Sequence, residues 1–368
     1  MALDILSPAS AAAASQSEQP PAQMMALVFH GPGLRAWESR PRPVLRAVGD
    51  AVVRITTSTI CGTDLHILKG DVPSVTPGRV LGHEGVGVIE SIGAAVTSLA
   101  VGDRVLVSCI TACGTCDTCL RGMRSHCRTG GWILGNTIDG TQAEFVRIPH
   151  AETSLYKVPA DADAEALVML SDIFPTAYEC GVVNGRVSPG DTVAIIGAGP
   201  IGLAALLTAR LLSPMSVFVI DRDSHRLDVA TSLGATAVVN SGTSDVVAAV
   251  LALTGGAGVD VAIEAVGSPD AFDTCQAIVA AGGRIANVGV HGAPVTLHLE
   301  KLWDRNVMLT TRLVDTVSTA MLLKLMTAGH LQPAPLATHR FPLADVMAAY
   351  DTFGDAGRTS ALKVILNG

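Results

Sequence analysis

The sequence predicts an α/β chain in two parts, a compact and partly antiparallel β-barrel followed by a doubly wound parallel sheet. Three observations carry this. Between residues 26 and about 160, short β-like runs at 51–57, 85–92, 104–108 and 143–148 are split by Gly, Pro and Asp, the spacing of a small barrel. From Asp191 onward, strand-like and helix-like stretches alternate, the pattern of a parallel sheet covered by helices. The turn Gly197-Ala198-Gly199-Pro200-Ile201-Gly202 stands at the first strand-to-helix junction of that alternation.

Taken in order, residues 1–24 are rich in Ala, Ser, Pro and Gln and read as a mobile tail, ahead of a first strand at 26–29. The first basic residue is Arg35, so the segment matches neither a secretory signal nor an Arg-rich transit peptide. The barrel runs follow. The second part opens with the apolar run 192–196, then an Ala/Leu-rich helix over 201–212. A strand at 217–220, a helix near 226–233, a strand at 237–239, a helix near 245–253 and a strand at 261–265 continue it. From about Val314 the mixed pattern returns, and the β-like run 361–366 needs a sheet to pair with, which points back to the barrel. The barrel domain is therefore expected over 25–173 and 314–368, and the parallel-sheet domain over 174–313.

The 368 residues suffice for two ordinary domains, and 49% apolar against 16% charged residues allow a sizeable core. Few aromatics, 4%, and 37 glycines suit tight turns and close backbone packing. A net charge of −8 without a dense Lys/Arg run argues against a nucleic-acid partner. No stretch approaches the ~18 unbroken apolar residues of a membrane span. A cytoplasmic protein is expected, where disulfides are rare, so the eight cysteines need another use such as metal binding.

The glycine-rich turn fits a dinucleotide. Gly197 permits the tight turn, Gly199 lets the backbone approach a pyrophosphate, and Gly202 lets the helix pack on the strand. Pro200 and Ile201 open that helix, whose free N–H groups face the phosphates. Asp221 ends the next strand 19 residues after Gly202, where a carboxylate accepts hydrogen bonds from ribose hydroxyls and repels a 2′-phosphate. NAD is thus expected over NADP. Arg222 could cover the adenine or soften that preference, and Arg226 is placed with the same binding residues.

Cys113, Cys116, Cys119 and Cys127 form C-x2-C-x2-C-x7-C, a set suited to a closed tetrahedral zinc. A [4Fe–4S] cluster commonly uses C-x2-C-x2-C-x3-C-P. Here the last gap is longer and Arg128 follows, which favours a structural zinc in a lobe over about 109–128. Cys109, Cys180 and Cys275 read as plain buried thiols. A second constellation is dispersed. Cys61-Gly62-Thr63-Asp64-Leu65-His66 follows a strand, and Gly82-His83-Glu84-Gly85 opens another. Alone, Cys61 or His83 would more often be a core residue than a ligand.

Together, CGTDLH at 61–66, GHEGVG at 82–87, GDRV at 102–105, the four-cysteine lobe, SDIFPTAYE at 171–179 and GAGPIGL at 197–203 resemble the zinc-containing medium-chain dehydrogenase/reductase family, as in bacterial zinc alcohol dehydrogenases. The resemblance runs from residue 25 to the C-terminus. It implies a GroES-like barrel as catalytic domain, a Rossmann cofactor domain, two zinc ions per chain and NAD. Cys61 and His83 resemble the first two ligands of the catalytic zinc, and Asp172 stands where the family places a third, often a Cys. Glu84 resembles a residue that enters the metal's coordination transiently or serves as a structural carboxylate beside it.

The implied chemistry is reversible hydride transfer between primary or secondary alcohols and NAD, giving aldehydes or ketones. The vacant zinc position takes the alcohol oxygen. Thr63 and His66 resemble the relay that carries the proton outward. Thr176 resembles a position near the nicotinamide, and Lys363 one that pairs with the pyrophosphate. Val266, Gly267 and Val290 are expected in the cofactor groove. Trp132, Ile110, Leu134 and Phe174 are candidates for an apolar substrate pocket, with core packing as their other reading. A polyol or threonine dehydrogenase is the alternative enzyme, and it would need polar groups in that pocket. A non-catalytic relative is the remaining alternative; the complete ligand set opposes it. The family also implies a homo-oligomer, a tetramer rather than a dimer, with 306–314 as a candidate edge for joining sheets.

Overall fold

The computed structural model describes residues 22–368. The first strand, Gln23–Gly31, begins three residues before the predicted 26–29 run. Met24 explains the extension: it packs with Ala26, Val28, Val80 and Ala143 in a small apolar cluster. The remainder of the predicted tail, residues 1–21, lies outside the described residues.

Two largely antiparallel sheets build the outer part. Gln23–Gly31 pairs with Leu34–Pro41 on one side and Arg79–Val80 on the other. The larger, seven-stranded sheet runs Ala337–Pro342, Lys363–Asn367, Ala51–Thr59, Gly85–Ile92, Arg104–Val107, Leu155–Lys157, with Phe145–Ile148 paired to Ala51–Thr59. Val52, Val53 and Ile55 give Ala51–Thr59 the β-branched character that a buried central strand favours. The C-terminal strand pairs antiparallel to it, Ile365 opposite Thr59, so the end of the chain closes the sheet begun by residue 51.

The inner part is a six-stranded parallel sheet in the order Ala237–Asn240, Ser216–Asp221, Thr192–Ile196, Val259–Glu264, Val279–Asn287, Met308–Thr311. Thr192–Ile196 is buried along its whole length, as a central strand covered on both faces must be. Chain order reverses between Thr192–Ile196 and Val259–Glu264, the crevice where such sheets take ligands. The covering helices have sound starts. Pro200 opens Pro200–Arg210, while Asp223, Asp245 and Ser268 cap the next three through backbone N–H groups. Met308–Thr311 is one of the sheet's two edge strands and lies within the predicted edge segment.

One helical run joins the two parts. It passes through Ala164–Val168, breaks at Asp172 (φ −141°, ψ −65°), resumes as Ile173–Thr176 and widens to a π turn over Ala177–Val183. Among the described residues no single helix is long and apolar enough to cross a membrane. This bent run has the length, but Leu167, Leu170, Phe174 and Val182 belong to the main core. A buried polar network ties the run to the rest. Glu179 accepts hydrogen bonds from Ser318 N and Oγ at 2.8 and 2.7 Å and from Asp315 N at 2.9 Å. Asp315 accepts from Ser125 N and Oγ at 2.8 and 2.6 Å and from Arg312 Nη2 at 2.6 Å.

Candidate metal centre and active site

Three different breaks in regular structure deliver the dispersed donors. Cys61 follows Ala51–Thr59 and caps Gly62–Lys69, with Asp64 Oδ2 accepting its amide at 2.9 Å. His83 and Glu84 follow Gly82, which sits at φ +93°; a Cβ there would lie 2.8 Å from the Gln142 amide nitrogen, so only glycine fits. Asp172 occupies the break in the helical run. One ligand atom from each of Cys61, His83, Glu84 and Asp172 lies within 4.8 Å of the others, and all four residues are buried.

The donor set fits a cation. Burial alone opposes a charge on His83, yet hydrogen bonds from its ring to Asp172 and Cys61 raise its pKa well above the ordinary value. Asp172, despite burial, is held well below the usual carboxylate range by His83 and Thr176. The site's field therefore demands positive charge at its centre, and a metal ion would meet that demand while leaving His83 neutral. His83 Nδ1 lies 3.9 Å from Asp64 Oδ1, and its Nε2 is 3.3 Å from Asp172 Oδ2. Glu84 Oε2 accepts from Lys363 Nζ at 2.7 Å, and its Oε1 is buried without a hydrogen bond.

The four-cysteine loop presents a second donor set. Its four sulfurs lie within 4.8 Å of one another, and Cys113 Sγ and Cys119 Sγ are 4.0 Å apart. Tetrahedral zinc with Zn–S bonds near 2.3 Å would place sulfurs about 3.8 Å apart, so the loop is already close to the required shape. The Thr118 hydroxyl lowers the Cys116 thiol to about 5, and the Thr115 amide lowers Cys113 to about 7. Burial pushes Cys119 up to about 12. Four thiolates leave no open ligand position, so this set can hold a metal but offers no place on it for a reactant.

The glycine-rich turn fits a dinucleotide. Gly197 has φ +104°, and a Cβ at Gly202 would overlap the Gly197 carbonyl oxygen. At Gly199 the nearest chain atom to a Cβ would be Arg226 Nη1, 3.8 Å away, which leaves that backbone open to an approaching group beside a guanidinium. Pro200 starts the helix behind it. Asp221 already accepts from Ala198 N at 2.6 Å and Asp223 N at 2.9 Å, so it braces the turn; each oxygen retains a lone pair for a ribose hydroxyl. Arg222 is exposed beside it.

A cleft of ≈ 270 Å³ joins the dispersed donors to the sheet crevice. It brings together Cys61, Thr63, His66, His83 and Asp172 with Thr176, Ile201, Val266 and Val290, and Ile110 and Trp132 form its apolar wall. His66 is oriented by Asp71, Nδ1 to Oδ2 at 2.8 Å. Three expected residues fall elsewhere. Leu134 and Phe174 are fully buried in separate core clusters, not in the cleft, because both point away from the wall their neighbours form. Lys363 is 1% exposed and committed to Glu84 and the Ile60 carbonyl, so it cannot pair with a pyrophosphate; it holds the carboxylate behind the metal donors. Glu84 outweighs burial and keeps the Lys363 ammonium protonated. Cys275 is a plain core thiol as expected, but Cys109 and Cys180 line the cleft.

Sequence reasoning passed over Asp64, Asp71, Cys109 and Arg312 as site residues. Asp64 lay in the quoted CGTDLH motif, whereas nothing local to the others marks them. A larger groove of ≈ 540 Å³ lies among Arg40, Arg42, Arg46, Arg79 and Arg147. Glu90, Asp139 and Asp50 pair with three of these arginines, and no donor set or nucleophile faces it.

Comparison with known proteins agrees with this geometry. Residues 47–160 match the sequence family described as the alcohol dehydrogenase GroES-like domain, and residues 200–326 match the zinc-binding dehydrogenase family. An alcohol dehydrogenase of Cupriavidus necator is 37% identical, over 94% of this chain and 99% of its own length. Among solved structures, zinc-dependent alcohol dehydrogenase 2 from Streptococcus pneumonia superposes with a TM-score of 0.90 at 49% identity, covering 94% of this chain and 98% of that one. An alcohol dehydrogenase from Thermus sp. ATN1 gives 0.87 at 36% identity, with 94% and 99% covered.

Proposed function

The chain belongs to the zinc-type medium-chain dehydrogenase/reductase family, and from that premise we propose that it is a NAD-preferring zinc alcohol dehydrogenase. It interconverts primary or secondary alcohols with aldehydes or ketones. The observation that carries this reading is the shared cleft: the Cys61–His83–Asp172 donors and the crevice of the parallel sheet open into one space. Zinc held there would supply Lewis acidity to the substrate oxygen, and NAD bound at the glycine-rich turn would accept the hydride.

The chain's own residues supply the rest. Cys61, His83 and Asp172 would supply three ligands, and Glu84, in the same 4.8 Å set with Oε1 unbonded, would take the fourth position at rest and yield it to the substrate oxygen. Thr63, 3.7 Å from Cys61 Sγ, is placed to hold the hydroxyl proton at the inner end of the cleft. His66, steadied by Asp71, is placed to pass it to water. Trp132, Ile110 and Val314 exclude water and favour small apolar alcohols over polyols or amino acids. Asp221 supports NAD over NADP. A second zinc in the four-cysteine loop would be structural. Eight free thiols support a reducing, cytoplasmic location. The edge strand Met308–Thr311, with Leu309, Leu313 and Trp303 exposed nearby, supports a homo-oligomer, read here as a tetramer; a monomer in light scattering would overturn that part.

The test is metal analysis together with steady-state rates on ethanol, 2-propanol, benzyl alcohol, sorbitol and threonine, each with NAD and NADP. Two zinc ions per chain and faster turnover of simple alcohols with NAD are expected. Fast turnover of threonine alone would overturn the substrate class, and a strong NADP preference would overturn the role of Asp221.

A further inference from the structure

Asp172 has two carboxylate oxygens, and the structure treats them differently. Oδ2 faces the other donors, 3.6 Å from Cys61 Sγ and 3.3 Å from His83 Nε2. Oδ1 turns the other way, where it accepts the Thr176 hydroxyl at 2.6 Å and the Cys109 thiol at 3.5 Å. Thr176 lies one helical turn further on, and its amide also donates to the Asp172 carbonyl at 2.8 Å. Cys109 approaches from the barrel side, with its amide on the Ser171 carbonyl at 3.1 Å. A cofactor contact for Thr176 and an inert packing role for Cys109, the expectations from sequence, account for neither bond.

Resting on the proposed zinc centre, we infer that Thr176 and Cys109 are positioning residues that clamp Asp172 as a one-oxygen ligand. A carboxylate can bind a metal through one oxygen or through both. The two-oxygen mode would add a ligand atom and occupy the position that substrate requires. Two donors on Oδ1 remove that option and present Oδ2 alone. The donors come from different parts of the fold, Cys109 from just after the barrel strand Arg104–Val107 and Thr176 from the run leading into the parallel sheet. The aim of the carboxylate is thereby set by both halves of the molecule. Thr176 also lines the cofactor side of the cleft, so one hydroxyl serves both the metal ligand and the cofactor's surroundings.

The test uses the full-length protein loaded with zinc and, separately, with cobalt(II). The rate at which the buried centre loses its metal to excess chelator is measured in wild type, Thr176→Val, Thr176→Ser and Cys109→Ala. The four-cysteine metal serves as the internal control. Outer partners of this kind typically account for about 10–100-fold in metal affinity, so Thr176→Val should release the buried metal faster by about that factor. Thr176→Ser, which keeps the hydroxyl, should stay near wild type, and Cys109→Ala, which loses the longer bond, should fall between. The cobalt absorption bands should shift in Thr176→Val and not in Thr176→Ser, while the four-cysteine rate is unchanged in all. Wild-type release rates and cobalt spectra in both Thr176→Val and Cys109→Ala would overturn the clamp. Should Thr176→Val not fold, Cys109→Ala alone decides. A wild-type chain that takes up metal only at the four cysteines would instead sink the zinc centre, and the clamp with it.

Discussion

The two donor groups are assembled in opposite ways. Cys113, Cys116, Cys119 and Cys127 come from one short loop, two of them part-exposed, and their sulfurs are near the required spacing. Cys61, His83 and Asp172 come from segments up to 111 residues apart, and every one is buried. The loop's ligands are therefore neighbours in the chain, whereas those of the dispersed site are brought together by the fold. Asp172 is held by Thr176 and Cys109, and Lys363 pairs with Glu84 of the same set. A loop that closes on its own metal suits a brace. A site held by surrounding elements can keep one position exchangeable without collapsing.

This contrast can be broken in four ways. The largest effect is expected from His83→Ala. Lewis-acid stabilisation is worth several kcal/mol, and 1.36 kcal/mol is a factor of ten, so kcat/KM should fall by at least about 10³-fold. Metal analysis should show the four-cysteine ion retained. Next comes Lys363→Met, which strands a buried carboxylate and should cost about 3–5 kcal/mol in urea unfolding. Adding Glu84→Gln should recover much of it. A Lys363→Met protein as stable as wild type would mean the dispersed site does not depend on buried support.

Cys116→Ser should lower the melting temperature by about 2–3 °C, the equivalent of about 2 kcal/mol in a chain of this size, through loss of one metal. The buried metal should remain and kcat at 25 °C should fall by less than about tenfold. A loss as deep as that of His83→Ala would erase the distinction between brace and reactive centre. The smallest effect concerns pH. Glu152 accepts the amides and hydroxyls of Thr97 and Ser98, which lowers its pKa from near 4.5 to about 2. Because the folded value is the lower one, its contribution is complete above about 4.5 and fades as pH falls toward about 2. The melting-temperature difference between wild type and Glu152→Gln should be constant from neutral pH downward and close across that window. The neighbouring Thr153 hydroxyl bonds the Ala112 carbonyl at the foot of the cysteine loop, so this is a test of the loop's outer support.

The same contrast explains what the sequence made legible. The cysteine loop needed only its spacing, because its ligands are neighbours in the chain. Thr192–Ile196 and the turn after it were read correctly, since a strand, three glycines and a helix start are local features. Asp172 came from family resemblance alone, for nothing nearby marks the break that turns it inward. Lys363 was misplaced because its pyrophosphate role came from family resemblance, and nothing local to it marks the buried bonds to Glu84 and the Ile60 carbonyl. Its burial follows from a pairing with Ala51–Thr59 across most of the chain. Leu134 and Phe174 were misplaced because an apolar residue beside a pocket has the same composition whether it faces the pocket or the core.

The bonds among Ser125, Asp315 and Glu179 have a mechanical consequence. Ser125 belongs to the cysteine loop, Glu179 to the run that enters the parallel sheet, and Asp315 to the chain leaving that sheet. They form a buckle that fastens the two halves along one rim of the cleft. The Ser125 and Asp315 amides, both buried and each bonded to a carboxylate, should therefore exchange hydrogen slowly.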